Sequence, residues 1–265
     1  MPHLQTAVPP VTSASLERLE AIARRAGAAI LAHYETGDAA ELKADQSPIT
    51  AADRAAHTVI TDALAAWTSD VPLVSEEGAL PSPEVRAAWR RFWLVDPLDG
   101  TKEFLQRNGE FTVNIALIDQ GEPVLGVVFA PALDLLYLAG RGLGSWKREH
   151  GGALLRLRSH PVPAGTPLVV AESRSHPSAE LERYLATIPV KRRVRAGSSL
   201  KFCWIAEGKA DIYPRFGRTM EWDVAAGDCV FRESGEGRPR SSPLRYNTPG
   251  LDNPGFIVGG PASGD

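Results

Sequence analysis

Cysteine is scarce in this 265-residue chain: Cys203 and Cys229 are the whole complement. Both sit in apolar, helix-like surroundings and read as buried reduced thiols, not as a disulfide, and a cytoplasmic setting follows. Long hydrophobic runs are missing too, since none approaches the roughly 20 residues of a membrane-spanning helix. The first ten residues have no basic stretch followed by an apolar one, so no secretory signal is read there. Nor is there an excess of charge of one sign. With 29 basic and 32 acidic residues the net charge is −3, which gives no support for a general nucleic-acid binder. What is present, 43% hydrophobic and 23% charged residues, is the composition of a soluble globular protein with one large domain or two small ones.

The most informative stretch follows a strand-like run at residues 92–95. The strand is expected to stop at Asp96-Pro97, because proline cannot donate to a sheet ladder. The turn then presents Asp96 and Asp99 close together, followed by Gly100 and the hydroxyl of Thr101. An ordinary turn uses the same residue types. Two carboxylates crowded into one loop repel each other, however, and a hard, oxygen-preferring cation such as magnesium offsets that cost.

Around this loop the pattern is mixed. Residues 14–35 carry apolar side chains at helical spacing. Thr50-Ala-Ala-Asp53 has the form of a capping box opening a second helix, so Asp53 has a local reason to be there. A short strand at 71–75 ends in Glu76-Glu77-Gly78. Strand-like runs at 110–118 and 123–131 are joined at Asp119-Gln-Gly121, which reads as a hairpin, and further strands follow at 135–139 and near Trp146. That half reads as a meander with helices on one side, hence α+β.

Farther on, a strand from Val169 ends in polar residues that include His176, either a plain loop residue or a ligand contact. The basic run Lys191-Arg-Arg-Val-Arg195 is either a solvated face or a field that steers a polyanion. Gly197-Ser-Ser opens an apolar helix whose free N–H groups and hydroxyls suit a phosphate. Ser198 and Lys201 lie three residues apart and can face one ligand. Arg215 ends a returning strand, and Glu221-Trp-Asp223 starts the last helix.

The run Asp96-Pro-Leu-Asp-Gly-Thr101 resembles the signature of the inositol monophosphatase superfamily of lithium-sensitive, magnesium-dependent phosphomonoesterases. Its extension Lys102-Glu103-Phe104 and the segment to residue 118 are similar to the bacterial CysQ-type 3′(2′),5′-bisphosphate nucleotidases. The distant Trp-Asp223 and the Glu-Glu motif match the superfamily in the right order. The tail departs from it, because residues 234–243 are shorter than usual and lack an apolar strand; a trimmed edge is expected there.

The resemblance implies an αβαβα layered sandwich. A loose tail (1–12) precedes an N-terminal α+β half with metal-binding loops (13–148) and a C-terminal α/β half with nucleotide-binding elements (149–265). It implies Mg2+ held by Glu76, Asp96, the Leu98 carbonyl, Asp99 and Asp223, with Asp53 near an additional, weaker ion. Glu76 and Thr101 orient the attacking water, and Gly100 and Thr101 bind the phosphate through backbone N–H groups. Substrate contacts also come from Glu76, Leu98, Asp99 and Asp223, and nucleotide contacts from His176, Ser198, Lys201 and Arg215. The implied activity removes the 3′-phosphate of adenosine 3′,5′-bisphosphate, or of its sulfated form, in sulfur assimilation. An inositol monophosphatase or another sugar phosphatase of the superfamily is the alternative, with the same cage and a different pocket.

Weak contact with the inner membrane is also implied by the resemblance, although no amphipathic or lipidated segment argues for it. Rival chemistries fit badly. Neither cysteine has the arginine that a Cys-x5-Arg phosphatase needs, and the Asp-x-x-Asp spacing is not the Asp-x-Asp of a phosphoaspartate enzyme.

Overall fold

Leucine, isoleucine and alanine at helical spacing make α1 (Ser13–Thr36) a packing helix, with Leu16, Leu19, Ile22, Ala23, Ala26 and Ile30 buried. The computed structural model describes residues 10–36, 41–42, 48–159, 162–175, 178–235 and 242–261. Among these, β1 (Glu41–Leu42) and β2 (Pro48–Ile49) form a small antiparallel ribbon that leads into α2 (Ala51–Trp67). The expected capping box is present. The Thr50 amide and hydroxyl both donate to Asp53 Oδ2 at 2.7 Å, satisfying groups that the helix start would otherwise leave open.

The larger sheet begins with β3 (Leu73–Ser75), which lies parallel to β4 (Arg91–Asp99). The short helix α3 (Pro83–Ala87) connects them, and α4 (Thr101–Leu105) follows β4. The sheet continues as an antiparallel meander through β5 (Thr112–Asp119), β6 (Glu122–Ala130), β7 (Leu135–Gly140), β8 (Gly144–Glu149) and β9 (Leu155–Arg156). The β5–β6 hairpin turns at Gln120-Gly121, where φ is 53° and 76°. Two consecutive left-handed residues match the right-handed twist of the flanking strands.

Two expectations are corrected here. Strand β4 does not stop at Asp96-Pro97 but runs to Asp99. Asp96 pairs with Asn114 and Asp99 with Thr112, so β4 takes three steps where β5 takes two. The extra residue makes a bulge, and a bulge accommodates Pro97 without removing a regular ladder bond. Helices also cover both faces of the sheet. Trp93, Val95, Ile115 and Val127 pack under α1 and α2, while Phe92, Leu94, Ala116 and Val128 pack in the opposite core. With both faces covered, β5 is buried along its whole length, and alternation is lost from its sequence.

The second sheet is built from β10 (Leu168–Ser173), β11 (Val190–Ala196), β12 (Ile212–Arg215) and β15 (Phe256–Gly259) in the order β11-β10-β12-β15. Its first three strands are parallel and β15 is antiparallel. Helix α5 (Ala179–Leu185) crosses from β10 to β11 and places Leu181 and Leu185 against Leu168, Val170 and Ile212. Helices α6 (Leu200–Ala206) and α7 (Glu221–Glu233) share the core between the two sheets. A ribbon of β13 (Thr219–Met220) and β14 (Asp252–Asn253) sits at the start of α7.

The layers are therefore α1/α2, the first sheet, α6/α7, the second sheet and α5, the αβαβα sandwich expected. Close contact of α7 with β6 requires Gly126, where a Cβ would lie 2.7 Å from that of Cys229. Cys203 and Cys229 are buried and unbridged. No helix among the described residues is long and apolar enough to cross a membrane. Most of the first dozen residues and the core of the 234–243 segment, 236–241, lie outside the described residues.

Candidate active site

Parallel strands β3 and β4 end side by side, and their C-terminal ends bring the acids together. The Glu76 amide donates to the Val95 carbonyl at 3.1 Å, which sets Glu76 beside Asp96. Asp223, in the first turn of α7, arrives from the other end of the chain. One carboxylate oxygen from each of Glu76, Asp96 and Asp223 lies within 4.8 Å of the other two. Asp223 Oδ2 accepts the Met220 amide at 3.0 Å, so the local helix-start reading and a place in the cluster both hold. Asp53 combines the two in the same way. It caps α2 and is close enough for its charge to act on Asp96.

The electrostatics are those of acids buried against one another. Burial pushes the Asp96 carboxyl well above its usual range, and the charges of Glu76, Asp99, Asp223 and Asp53 push it further. Burial likewise raises Asp223 well above the ordinary value, with Asp99 and Glu76 adding to it. Asp96 Oδ1 accepts the Leu98 amide at 3.1 Å, which places Leu98 between the two loop aspartates. Asp99 is differently placed: its Oδ2 accepts Asn114 Nδ2 at 3.1 Å and the Ser199 hydroxyl at 3.2 Å. Burial raises it to about 6, opposed by the charge of Lys201 and those two hydrogen bonds.

A cleft of about 210 Å3 opens beside the cluster. Asp99, Gly100, Thr101 and Ser198 line it together with Lys201, Tyr213 and Arg215. Gly100 has φ 89° and immediately precedes α4. A Cβ on it would come within 2.2 Å of Ser198 Oγ, so any larger residue there would take a strained left-handed backbone and displace the Ser198 side chain. The Ser198 hydroxyl donates to the Asp99 carbonyl at 2.8 Å. Ser199 bridges the two halves of the site: its hydroxyl lies between Asp99 Oδ2 and the Asp223 carbonyl and can give its one proton to either.

Lys201 is buried, and its ammonium donates to the carbonyls of Ala196 and Ser198. Burial lowers its pKa to about 8, opposed by Asp99. Arg215 Nε is buried and has no hydrogen-bond partner among the described residues. A buried donor left open beside a cleft is what a ligand acceptor would satisfy.

Of the expected site residues, Glu76, Asp99, Gly100, Thr101, Ser198, Lys201, Arg215 and Asp223 line one cleft. Asp96 lies behind it in the acid cluster, with Asp53 near enough to act on it; Leu98 is not in the lining, and His176 lies outside the described residues. Two arginines of the basic run are neither free in solvent nor aimed at the cleft: Arg193 and Arg195 pair with Glu172, and Arg193 also with Glu182. Sequence reasoning missed Asn114 and Ser199, which fix Asp99. Their types carry no signal, because each acts on residues 15 to 100 positions away. His57, whose Nδ1 is 2.9 Å from Ser75 Oγ next to Glu76, was missed for the same reason.

A cluster made only of carboxylate oxygens fits magnesium, whereas zinc favours nitrogen and sulfur ligands. The mutual repulsion within the cluster is a second mark of a cation site.

The sequence profile of the inositol monophosphatase family matches residues 13–241. The chain is 51% identical, over 251 residues, to the 3′(2′),5′-bisphosphate nucleotidase CysQ of Escherichia coli K12, covering 92% of this chain and 98% of that protein. It is 53% identical over 217 residues to the CysQ nucleotidase of Salmonella typhimurium, covering 81% and 86%. Among solved structures, CysQ from Bacteroides thetaiotaomicron superposes with a TM-score of 0.78 at 38% identity, covering 94% of this chain and 98% of that one.

Proposed function

The chain belongs to the inositol monophosphatase family, and we propose on that basis that it is a magnesium-dependent 3′(2′),5′-bisphosphate nucleotidase. It removes the 3′-phosphate of adenosine 3′,5′-bisphosphate to give AMP and phosphate, in sulfur assimilation in the cytoplasm. The relatives of that name at about half identity over nearly the whole chain support this reading. One observation carries it at the site: the same cleft is lined by Glu76 and Asp223 of the acid cluster and by the cations Lys201 and Arg215. A substrate with one phosphate at the acids and a second at the cations matches both.

In this reading Glu76, Asp96, Asp99, Asp223 and the Leu98 carbonyl hold magnesium, and Asp53 supports a further, weaker ion. When bound, magnesium supplies Lewis-acid polarisation of the phosphoryl group and neutralises the charge that builds on it. Glu76 and Thr101 orient the attacking water for in-line displacement. The amides of Gly100 and Thr101, at the start of α4, receive the phosphate. Ser198, Lys201, Arg215 and His176 bind the nucleotide. The metal loops lie mainly in residues 13–148 and the nucleotide elements in 149–265, with Asp223 joining the two.

Purified protein assayed with magnesium on adenosine 3′,5′-bisphosphate and on inositol 1-phosphate tests this. The expected kcat/KM favours the nucleotide by more than about a hundredfold, as a site built around a second anion rejects a substrate without it. A chelator should abolish both activities, and added magnesium should restore them. Preference for inositol phosphate would overturn the substrate and leave the fold standing.

A further inference from the structure

The extension after the signature loop carries two acids that the chemistry above does not use, Glu103 and Glu110. Glu110, just ahead of β5, reaches across the chain. Its Oε2 accepts the Gly197 amide and Arg174 Nε, each at 2.8 Å, and its Oε1 accepts Arg174 Nη2 at 2.8 Å. Arg174 is held in turn on the end of β11, donating from Nη2 to the Arg195 carbonyl at 3.1 Å and from its amide to that of Ala196 at 3.2 Å. Glu103 Oε1 accepts the Ser175 hydroxyl at 2.6 Å. A Cβ on Gly197 would lie 2.5 Å from Glu103 Cγ and 3.0 Å from the Glu110 carbonyl, so the turn is seated directly on both acids.

What these contacts hold is the Gly197–Ser198 turn, whose Ser198 lines the cleft with Lys201. Gly197 opens the turn to Ser198, a non-glycine residue at φ 49°, where a side chain is strained and the backbone must be held by its surroundings. The ammonium of Lys201 rests on the carbonyls of Ala196 and Ser198, on either side of Gly197. A shift of Gly197 therefore moves the lysine. Glu110 itself does not line the cleft.

We propose that Glu110, with Arg174, is a positioning residue for the nucleotide wall: it fixes the Gly197–Ser198 turn and, through it, Lys201. The proposal rests on the reading that this wall receives the second phosphate. Its effect then falls first on binding of that phosphate; the acids are reached only indirectly, through the Ser198 and Ser199 hydroxyls that contact Asp99 and the Asp223 carbonyl. Glu110→Gln keeps an oxygen for the Gly197 amide and loses the charge, so it is the milder variant.

The test measures kcat and KM on adenosine 3′,5′-bisphosphate and on adenosine 3′-phosphate, which lacks the second phosphate. Glu110→Ala should raise KM for the bisphosphate about tenfold, the scale of one charged hydrogen bond, with a much smaller change in kcat and in the KM for the monophosphate. Arg174→Ala should do so less, and the double variant no more than Glu110→Ala, because the pair acts as a unit. Should Glu110→Ala fold poorly, Glu110→Gln decides, with an expected rise of about threefold. Equal losses on the two substrates, or an unchanged KM, overturn the clamp while the nucleotidase reading stands. A wild-type enzyme with no preference for the bisphosphate overturns the reading of the wall and the clamp with it.

Discussion

Two groups of buried carboxylates sit in this molecule under opposite electrostatics. Glu172 on β10 is buried, and Arg193 and Arg195 from the neighbouring strand both pair with it, with Glu182 sharing Arg193. Asp96 is equally buried, and what surrounds it is four more acids and an amide. Neither Asp96 nor Asp223 forms an ion pair among the described residues. Like charges buried together cost stability unless something neutralises them. Glu172 is completed from within the chain. Under the proposed function the Asp96 cluster is completed instead by a cation, which is how a cation site differs from a structural ion pair.

Removing one charge from each group should give opposite results. Asp96→Asn should lower kcat/KM by about 10³-fold, the scale of lost electrostatic stabilisation at a reacting centre. In chelator, the same variant should be more stable to urea by about 1–2 kcal/mol, since one repelling buried charge is gone. Loss of stability in the metal-free protein would break the contrast. Arg193→Ala combined with Arg195→Ala should cost about 3 kcal/mol, because it strands the buried Glu172. The kcat of the folded fraction should stay as in the wild type. A double variant of unchanged stability would mean that Glu172 is solvated by other means.

The acids of the cluster were legible because each is announced locally, at a strand end or a helix start: Glu76 after β3, Asp96 and Asp99 around a proline and glycine, Asp223 one turn into α7. Asn114, Ser199, Glu110 and Arg174 were not, since each acts across the fold on residues that sequence distance hides. The placement of helices was misjudged for a related reason. A fully apolar strand such as β5 does not say which of its faces is covered, and only α7, arriving from the last third of the chain, buries the second. The closeness of that contact makes its own prediction. Gly126→Ala puts a methyl 2.7 Å from Cys229 Cβ and 2.9 Å from the Ala226 carbonyl. Overpacking of this kind should cost about 1–3 kcal/mol, read as a lower Tm with KM unchanged. A neutral result would show that α7 slides freely over β6.

Strand β4 carries the contrast at its two ends. Asp96 and Asp99 close one end of the strand. At the other, Arg91 faces Asp119 across the sheet, with Nη2 2.7 Å from Oδ2. The hydrogen bond from Arg91 holds the Asp119 carboxyl below the usual carboxylate range, with burial opposing it. A carboxyl whose pKa is depressed on folding stabilises the protein above its unfolded value, near 4, and ceases to do so as pH falls through the lower folded value. Asp119→Asn should therefore cost about 0.5–1 kcal/mol near pH 7, the scale of a partly exposed pair. That difference from the wild type should vanish as the solution becomes strongly acidic. Urea unfolding of both proteins across that range measures it. A deficit that persists in acid would assign the loss to packing at the β4–β5 edge, and charge would then separate the two ends of the strand less than their surroundings do.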